Sequence, residues 1–409
     1  MRMSISTPVQ SVSAASDKSV WTVALCFAVA ILEGFDIQAL GVAAPKLAPE
    51  LGLAPDQMGL VFSVSNIGLI FGAAIGGGLA DRFGRKPIFI ASVITFGLFT
   101  LATPLVSSFE HLFALRFLAG LGFGAALPNM MAIAAEISPP HKRASTAATM
   151  FCGMPLGGGT SALLTQLLPP DFDWRTLFIV GGVLPLLLAP AMMLWMRETL
   201  QRSTQSHGER TPIFAALFAE GRAVPTLLLW LAFLPTLLVL YLILNWLPTL
   251  VIASGLDRAI APQASLAFNF ASVAGALLLG RIVDRFGAQG PLTIAYVVLI
   301  GALLALANAH QLSMILLCSA AAGFFLMGAN YALYGVAASY YPRRMRGTGS
   351  GASIAVGRVG SIVGPLSAGL LLSGGTSAHM LVIYLVPAAA IAGIAVFALG
   401  FYKAQASEE

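Results

Sequence analysis

"GGLADRFGRK" (residues 77–86) and "GRIVDRFGAQ" (residues 280–289) are two versions of one short loop, 203 residues apart, each set between long apolar runs. Outward from the first copy, residues 57–80 lead into the loop and 87–106 lead away; around the second, 262–283 and 290–308 do the same. Each run is close to the roughly 20 residues that a helix needs to cross the hydrocarbon core of a bilayer. A helix also satisfies its own backbone polar groups there, which an isolated strand does not. The same loop at the same place in each half predicts a duplicated six-helix unit, with a ligand site between the halves near the midplane.

The rest of the chain has the same texture. With 58% hydrophobic and only 10% charged residues over 409 positions, and a mean hydropathy of +0.87, a string of soluble domains is excluded. Twelve spans are predicted, at 19–44, 57–80, 87–106, 111–135, 144–167, 175–196, 223–250, 262–283, 290–308, 311–340, 347–373 and 378–402. The expected fold class is therefore an all-α integral membrane protein with two pseudo-symmetric six-helix bundles, 19–196 and 223–402. A polar linker, 197–222, joins them, and short tails, 1–18 and 403–409, flank them. Lys18 and the run ending Ala28-Val29-Ala30 imitate a signal peptide, but apolar residues continue past that point, so the first span is expected to be retained. Cys26, Cys152 and Cys318 all fall inside spans and are odd in number, which argues against a disulfide framework.

A pI near 9.3 would suit nucleic acid if the basic residues clustered, but they follow the loops instead. The tails and even-numbered connections carry every Lys and Arg except Lys46, Arg175 and Arg258 on the opposite side and Arg116 and Arg358 within spans. By the positive-inside rule, both tails and the linker are cytoplasmic and the protein is multi-pass. No nucleic-acid partner is implied.

Charge inside the spans is rare and therefore informative. In "ILEGFDIQAL" (31–40), Glu33 and Asp36 are three residues apart, on one helical face about halfway through the first span. Burial and like-charge repulsion favour the neutral form of a carboxyl. The pair is thus the candidate proton-coupling site. Gly34 thins the helix between them, and Gln38, one turn on, is a candidate ligand contact.

Arg358, about eleven residues into its span, needs an anionic partner, either a protein carboxylate or that of a substrate. Arg116 lies nearer an end, where snorkelling competes with ligand binding. Tyr241, Asn245, Trp246, Asn269, Asn330, Tyr331 and Tyr334 supply flat walls and amides in the second half; an aromatic ligand wants such walls, and the interfacial belt wants the same residue types. In the loop, Gly77 and Gly84 permit a short turn, while Asp81, Arg82, Arg85 and Lys86 are candidate gating charges. The second copy keeps Asp284 and Arg285 but ends Ala288-Gln289.

The stretches "EGFDIQALGVAAPKLA" (33–48), "GLADRFGRK" (78–86), "LRFLAGLGFGAALPN" (115–129), "CGMPLGG" (152–158), "LNWLP" (244–248) and "RGTGSGASIAVGRVGSIVGPL" (346–366) resemble the aromatic acid:proton symporter branch of the major facilitator superfamily. Within it the chain is most similar to transporters for 3-(3-hydroxyphenyl)propionate. The resemblance implies proton-coupled import of a small aromatic carboxylate such as a hydroxyphenylpropionate or benzoate, by alternating access in a bacterial inner membrane. It places the family's first-span acids on Glu33, where Glu replaces Asp, and Asp36. It also places the family's arginines on Arg116, Arg346 and Arg358, and the acidic partner of its cytoplasmic gate on Glu136.

The rival readings are a carrier of the same fold for another organic anion or a sugar, an exporter, or a membrane sensor. An enzyme is not expected: no HExxH, GxSxG or metal-ligand cluster occurs, and the five histidines are isolated. No cofactor or metal is expected, and the partners are protons, the aromatic acid and lipid, with the monomer as working unit.

Overall fold

Long apolar runs with no polar interruption give long helices, and the loop residues decide where each one stops. The computed structural model describes residues 12–138, 143–169, 172–196, 198–199, 213–342 and 345–402, with side chains from residue 20 onward except at 143–145 and 148. Arg2, Lys142, Arg197, Arg202, Arg210, Arg343, Arg344 and Lys403, the ends of both tails and most of the linker lie outside the described residues.

The first half comprises α1 (Val12–Glu50), α2 (Pro55–Phe83), α3 (Arg85–Ala102), α4 (Phe109–Ile137), α5 (Arg143–Phe151), α6 (Gly153–Leu167) and α7 (Arg175–Trp195). α1 begins inside the segment read from sequence as a tail. After the short linker helix α8 (Ile213–Phe218), the second half comprises α9 (Ala223–Ala253), α10 (Pro262–Phe286), α11 (Gln289–Ala307), α12 (Leu312–Ser339), α13 (Arg346–Ser373), α14 (Ala378–Ile383) and α15 (Leu385–Leu399). Eleven stretches among the described residues are long and apolar enough to cross a membrane. The twelfth crossing is α5 plus α6, divided by a turn at Cys152, and α14 and α15 together make the last.

Local chemistry marks the ends. Pro55 opens α2, where its missing N–H is not needed, and the Gln57 side chain accepts from the Ala54 N–H at 3.0 Å. The Ser108 hydroxyl accepts from the His111 N–H to cap α4. Gly84 turns the chain from α2 into α3 at φ 108°, a conformation that L side chains rarely adopt.

The packing is pseudo-symmetric. In each half the closest pair is the second helix on the fourth, α2 on α4 and α10 on α12. Small residues let these backbones touch: Gly68 and Gly72 lie against Phe117 and Leu121, as Gly275 and Gly323 lie against Phe324 and Phe268. The first helix of each half packs on the fifth, α1 on α6 and α9 on α13. Between the halves the same rule holds, α2 meeting α13 and α6 meeting α10, with α1 on α9 at the centre.

These contacts between the lobes are not spread evenly along the helices. At the end opposite the basic loops, Ser373 bonds both the backbone and the carboxylate of Asp56, and Gln166 bonds Ala259 and Gln263. Near mid-depth, Ser63 and Asn66 donate to the carbonyls of Ile362 and Ser361. Towards the basic end, α5 packs on α1, α4 and α6, and Gly77 and Gly78 face open space. The hydrogen bonds just named between the lobes lie at mid-depth or at the end opposite the basic loops, the closed end.

Candidate functional site

The two acids of the first span go to different partners. Asp36 turns into its own lobe, where Arg116 on α4 donates through Nη1 to Oδ2 at 3.0 Å and Oδ1 at 3.2 Å. Thr100 at the end of α3 donates to the same carboxylate at 2.7 Å, and Arg116 Nη2 reaches the Thr103 hydroxyl at 2.6 Å. Arg116 is 1% exposed and Asp36 2%, so the pair is sealed from bulk water. A charge-assisted, multiply bonded pair of this kind satisfies both buried groups within one lobe. Beside it lies a cavity of about 20 Å³, lined by Asp36, Ser65, Asn66, Arg116 and Asn245, with room for about one water molecule.

Glu33 is arranged differently. It is fully buried, and neither carboxylate oxygen has a hydrogen-bond partner among the described residues. Gly34 beside it lies directly on the Met154 backbone, where a Cβ would stand 1.9 Å from the carbonyl oxygen. That close approach brings α1 and α6 together and fixes Glu33 at the lobe boundary. Across the boundary, Arg358, Tyr331 and Tyr334 are within electrostatic reach of one another or of Glu33. Arg358 donates from Nη1 to the Tyr241 hydroxyl at 2.8 Å, is part-exposed, and forms no ion pair among the described residues. Asn330, one turn from Tyr334, keeps its Oδ1 buried and unpartnered.

The structure thus brings Glu33, Arg358, Tyr241, Tyr334 and Asn330 together. The other candidate ligand contacts lie elsewhere. Gln38 donates to the Leu244 carbonyl at 2.7 Å and accepts from Asn269 at 3.2 Å, so its amide joins α1 to α9 and α10. Trp246 donates to the Pro365 carbonyl at 3.1 Å and packs edge-on against Phe62, while Asn245 donates to Tyr241's carbonyl.

At the basic end, Arg85 pairs with Asp81 at 2.9 Å and reaches Glu136 at 3.4 Å. Lys86 donates to the Met193 carbonyl at 2.7 Å. Arg82 stacks over Phe83, and in the second copy Arg285 stacks over Phe286 with Asp284 exposed. The Nε of Arg346 is buried without a partner.

Glu198 belongs to this cluster and was missed in the sequence. Its carboxylate accepts from the backbone N–H groups of Arg85 at 2.9 Å and Lys86 at 3.2 Å, the first turn of α3, where the helix dipole favours an anion. Thr199 beside it bonds Glu136. The local signal was only one acid within a polar linker; the long-range pairing is what reveals it.

Two lobes of membrane-spanning helices with unmatched polar groups at their mutual boundary fit a membrane carrier rather than an enzyme. The comparisons agree. The family model for the Major Facilitator Superfamily matches residues 26–365, and the chain belongs to that superfamily, as a multi-pass protein of the bacterial inner membrane. It is 39% identical to the 3-(3-hydroxy-phenyl)propionate transporter of Escherichia coli (strain K12), over 97% of both chains. It is 33% identical to the 4-hydroxybenzoate transporter PcaK of Pseudomonas putida, over 92% of both, and 32% identical to the gallate transporter of that organism, over 94% of this chain and 92% of that one. Among solved structures, a bacterial homolog of the human lysosomal transporter Spinster has the same fold, with TM-score 0.76 at 19% identity over 93% of this chain and 97% of that one.

Proposed function

We propose that this protein imports a small aromatic carboxylate together with a proton. The observation that carries the reading is Glu33, a buried carboxyl without a partner, at the boundary between the lobes and facing a cluster of one arginine and three tyrosines. Arg358 is the group that binds the substrate carboxylate: it is permanently charged, planar, and not neutralised by a protein acid. Tyr241 holds the guanidinium in place, and Tyr334 and Tyr331 offer the ring its aromatic walls. The relatives named for aromatic acids favour this class of cargo over a sugar.

With the basic end taken as cytoplasmic, the end held by Asp56, Gln166 and Ser373 is the outer one. In the outward conformation Glu33 takes a proton and Arg358 takes the anion. Rocking of the lobes then opens the site towards the basic end, where Asp81, Arg85, Glu136 and Arg346 stand, and the anion and proton leave inward. Asp36 and Arg116 stay paired and keep α1, α3 and α4 moving as one body.

The test is uptake of labelled 3-(3-hydroxyphenyl)propionate and 4-hydroxybenzoate into proteoliposomes. Uptake is expected to rise with an inside-alkaline pH gradient and to lose that rise with an uncoupler. Uptake indifferent to the gradient would remove the proton from the mechanism; uptake of neither acid would remove the cargo.

A further inference from the structure

The stretch "CGMPLGGG" (152–159) divides the fifth crossing and has so far been given no role. Pro155 lacks the N–H that a helix directs to the carbonyl four residues back, so Phe151 is denied its usual donor. In the interior of a bilayer an unmet carbonyl is costly and takes a donor from a neighbouring helix. Here the donor comes from the other lobe: the Tyr331 hydroxyl, on α12, donates to the Phe151 carbonyl at 3.2 Å. The flanking glycines hold this part of the crossing in place. Gly153 and Gly157 lie on the α1 backbone at Phe27 and Ile31, either side of the contact at Gly34, and Gly158 leaves room for the Asn269 amide that bonds Gln38.

The bond's position along the fold gives it a function. The other hydrogen bonds between the lobes described above, at Gln38, Asp56, Ser63, Asn66 and Gln166, lie at mid-depth or towards the closed end. Tyr331–Phe151 lies on the basic side of them. Tyr331 is also within electrostatic reach of Glu33, and Glu33 has no exposed surface.

We propose that Tyr331 is the inner gate of the site: its hydroxyl, held by the carbonyl that Pro155 leaves without a helical donor, bridges the lobes beside Glu33, and the bridge opens each time the site empties to the basic end. The proposal rests on the transport reading above, and assigns the fifth-span proline and the tenth-crossing tyrosine to one device. Mid-depth and the closed end carry several hydrogen bonds between the lobes, whereas Tyr331 reaches across on the basic side of them.

Cys152, next in sequence to the accepting carbonyl and half-buried, reports the opening. Purified full-length protein in lipid nanodiscs is treated with a maleimide, and labelling of Cys152 is followed by mass spectrometry against the buried Cys26 and Cys318. Tyr331→Phe keeps the ring and removes only the bond. It is expected to label Cys152 about two- to tenfold faster than wild type, the range that one neutral hydrogen bond allows. Pro155→Ala returns a helical N–H to the Phe151 carbonyl and is expected to speed labelling in the same direction, with the double variant no faster than the faster single one. A wild-type rate in Tyr331→Phe, or effects of the two changes that multiply, overturns the gate. Labelling is read without substrate, so that failure leaves the transport reading standing. A wild-type protein that takes up no aromatic acid removes the transport reading and leaves the labelling result as it is.

Discussion

Because Asp36 is matched by Arg116 at 3.0 Å and by Thr100 at 2.7 Å, and Glu33 by no hydrogen bond among the described residues, the proposed cycle exchanges one proton, on Glu33. One proton with one monoanion moves no net charge. The driving force is then the pH gradient alone, about 1.4 kcal/mol per unit, or about tenfold accumulation of the acid. A second proton, on Asp36, would raise the pH contribution to about a hundredfold per unit, make the cycle electrogenic and add about 2.3 kcal/mol per 100 mV, close to another fiftyfold. Proteoliposomes with a one-unit pH gradient, with and without a potassium diffusion potential of about 100 mV set by valinomycin, separate the two cases. The expected result is about tenfold accumulation that the potential does not change. Glu33→Gln is expected to exchange labelled for unlabelled acid across the membrane yet accumulate none above equilibrium. Accumulation that climbs steeply with an inside-negative potential, or a Glu33→Gln protein that concentrates the acid as wild type does, would refute the assignment of coupling to Glu33 alone.

Three further outcomes follow from the same contacts. Asp36→Asn, which leaves Arg116 as an uncompensated buried charge, is expected to lower stability by about 3–5 kcal/mol, read as loss of the thermal transition in detergent, while Asp36→Leu with Arg116→Met regains most of it. Arg358→Lys keeps the charge but loses the planar fork and the fixed bond to Tyr241, so ligand binding measured by calorimetry should weaken about tenfold or more, with little change in thermal stability. Gly84→Ala places a methyl group 2.5 Å from a Glu198 carboxylate oxygen at a φ of 108°; transport should slow severalfold, and pairing it with Glu198→Ala should recover part of the loss only if the steric clash outweighs backbone strain, which the uptake rate of the double variant reads directly.

The fold was legible because it depends on runs and repeats, which a single sequence carries in full. The duplicated loop, the apolar runs and the polar linker between them are local patterns, and the pairing of α2 with α4 and of α10 with α12 repeats the duplication in space. The site was legible only by residue type. Glu33 and Asp36 stand out in an apolar span, but their division of labour does not. Three residues along a helix leave about 60° between side chains, near enough to be read as one face and far enough to point into different partners. What separates them is Arg116, Thr100 and Arg358, positions 64 to 325 residues away along the chain. Gln38 is a similar case: its place one turn from Gly34 made it a ligand candidate, and its amide meets Leu244 and Asn269 on the other lobe, which no periodicity in the first span announces.

The arrangement on α1 supplies a physical basis for the proposed coupling of proton and substrate. Asp36 fixes the helix to α3 and α4, Gln38 joins it to α9 and α10, and Glu33 sits on the same helix about one turn before these attachments. An ionised, unpartnered Glu33 at the lobe boundary is a charge held away from water, a state that helix α1 relieves by opening to solvent or by drawing Arg358 towards it. A bound carboxylate takes Arg358 for itself and leaves protonation as the remaining route to a neutral boundary. The loaded carrier with its proton is then free to close, the empty carrier closes through Glu33 and Arg358 directly, and the carrier loaded with anion but lacking the proton is the species held open. Coupling on this view is a matter of which combinations can be buried, so that neutralising position 33 should permit anion flux without protons rather than abolish movement.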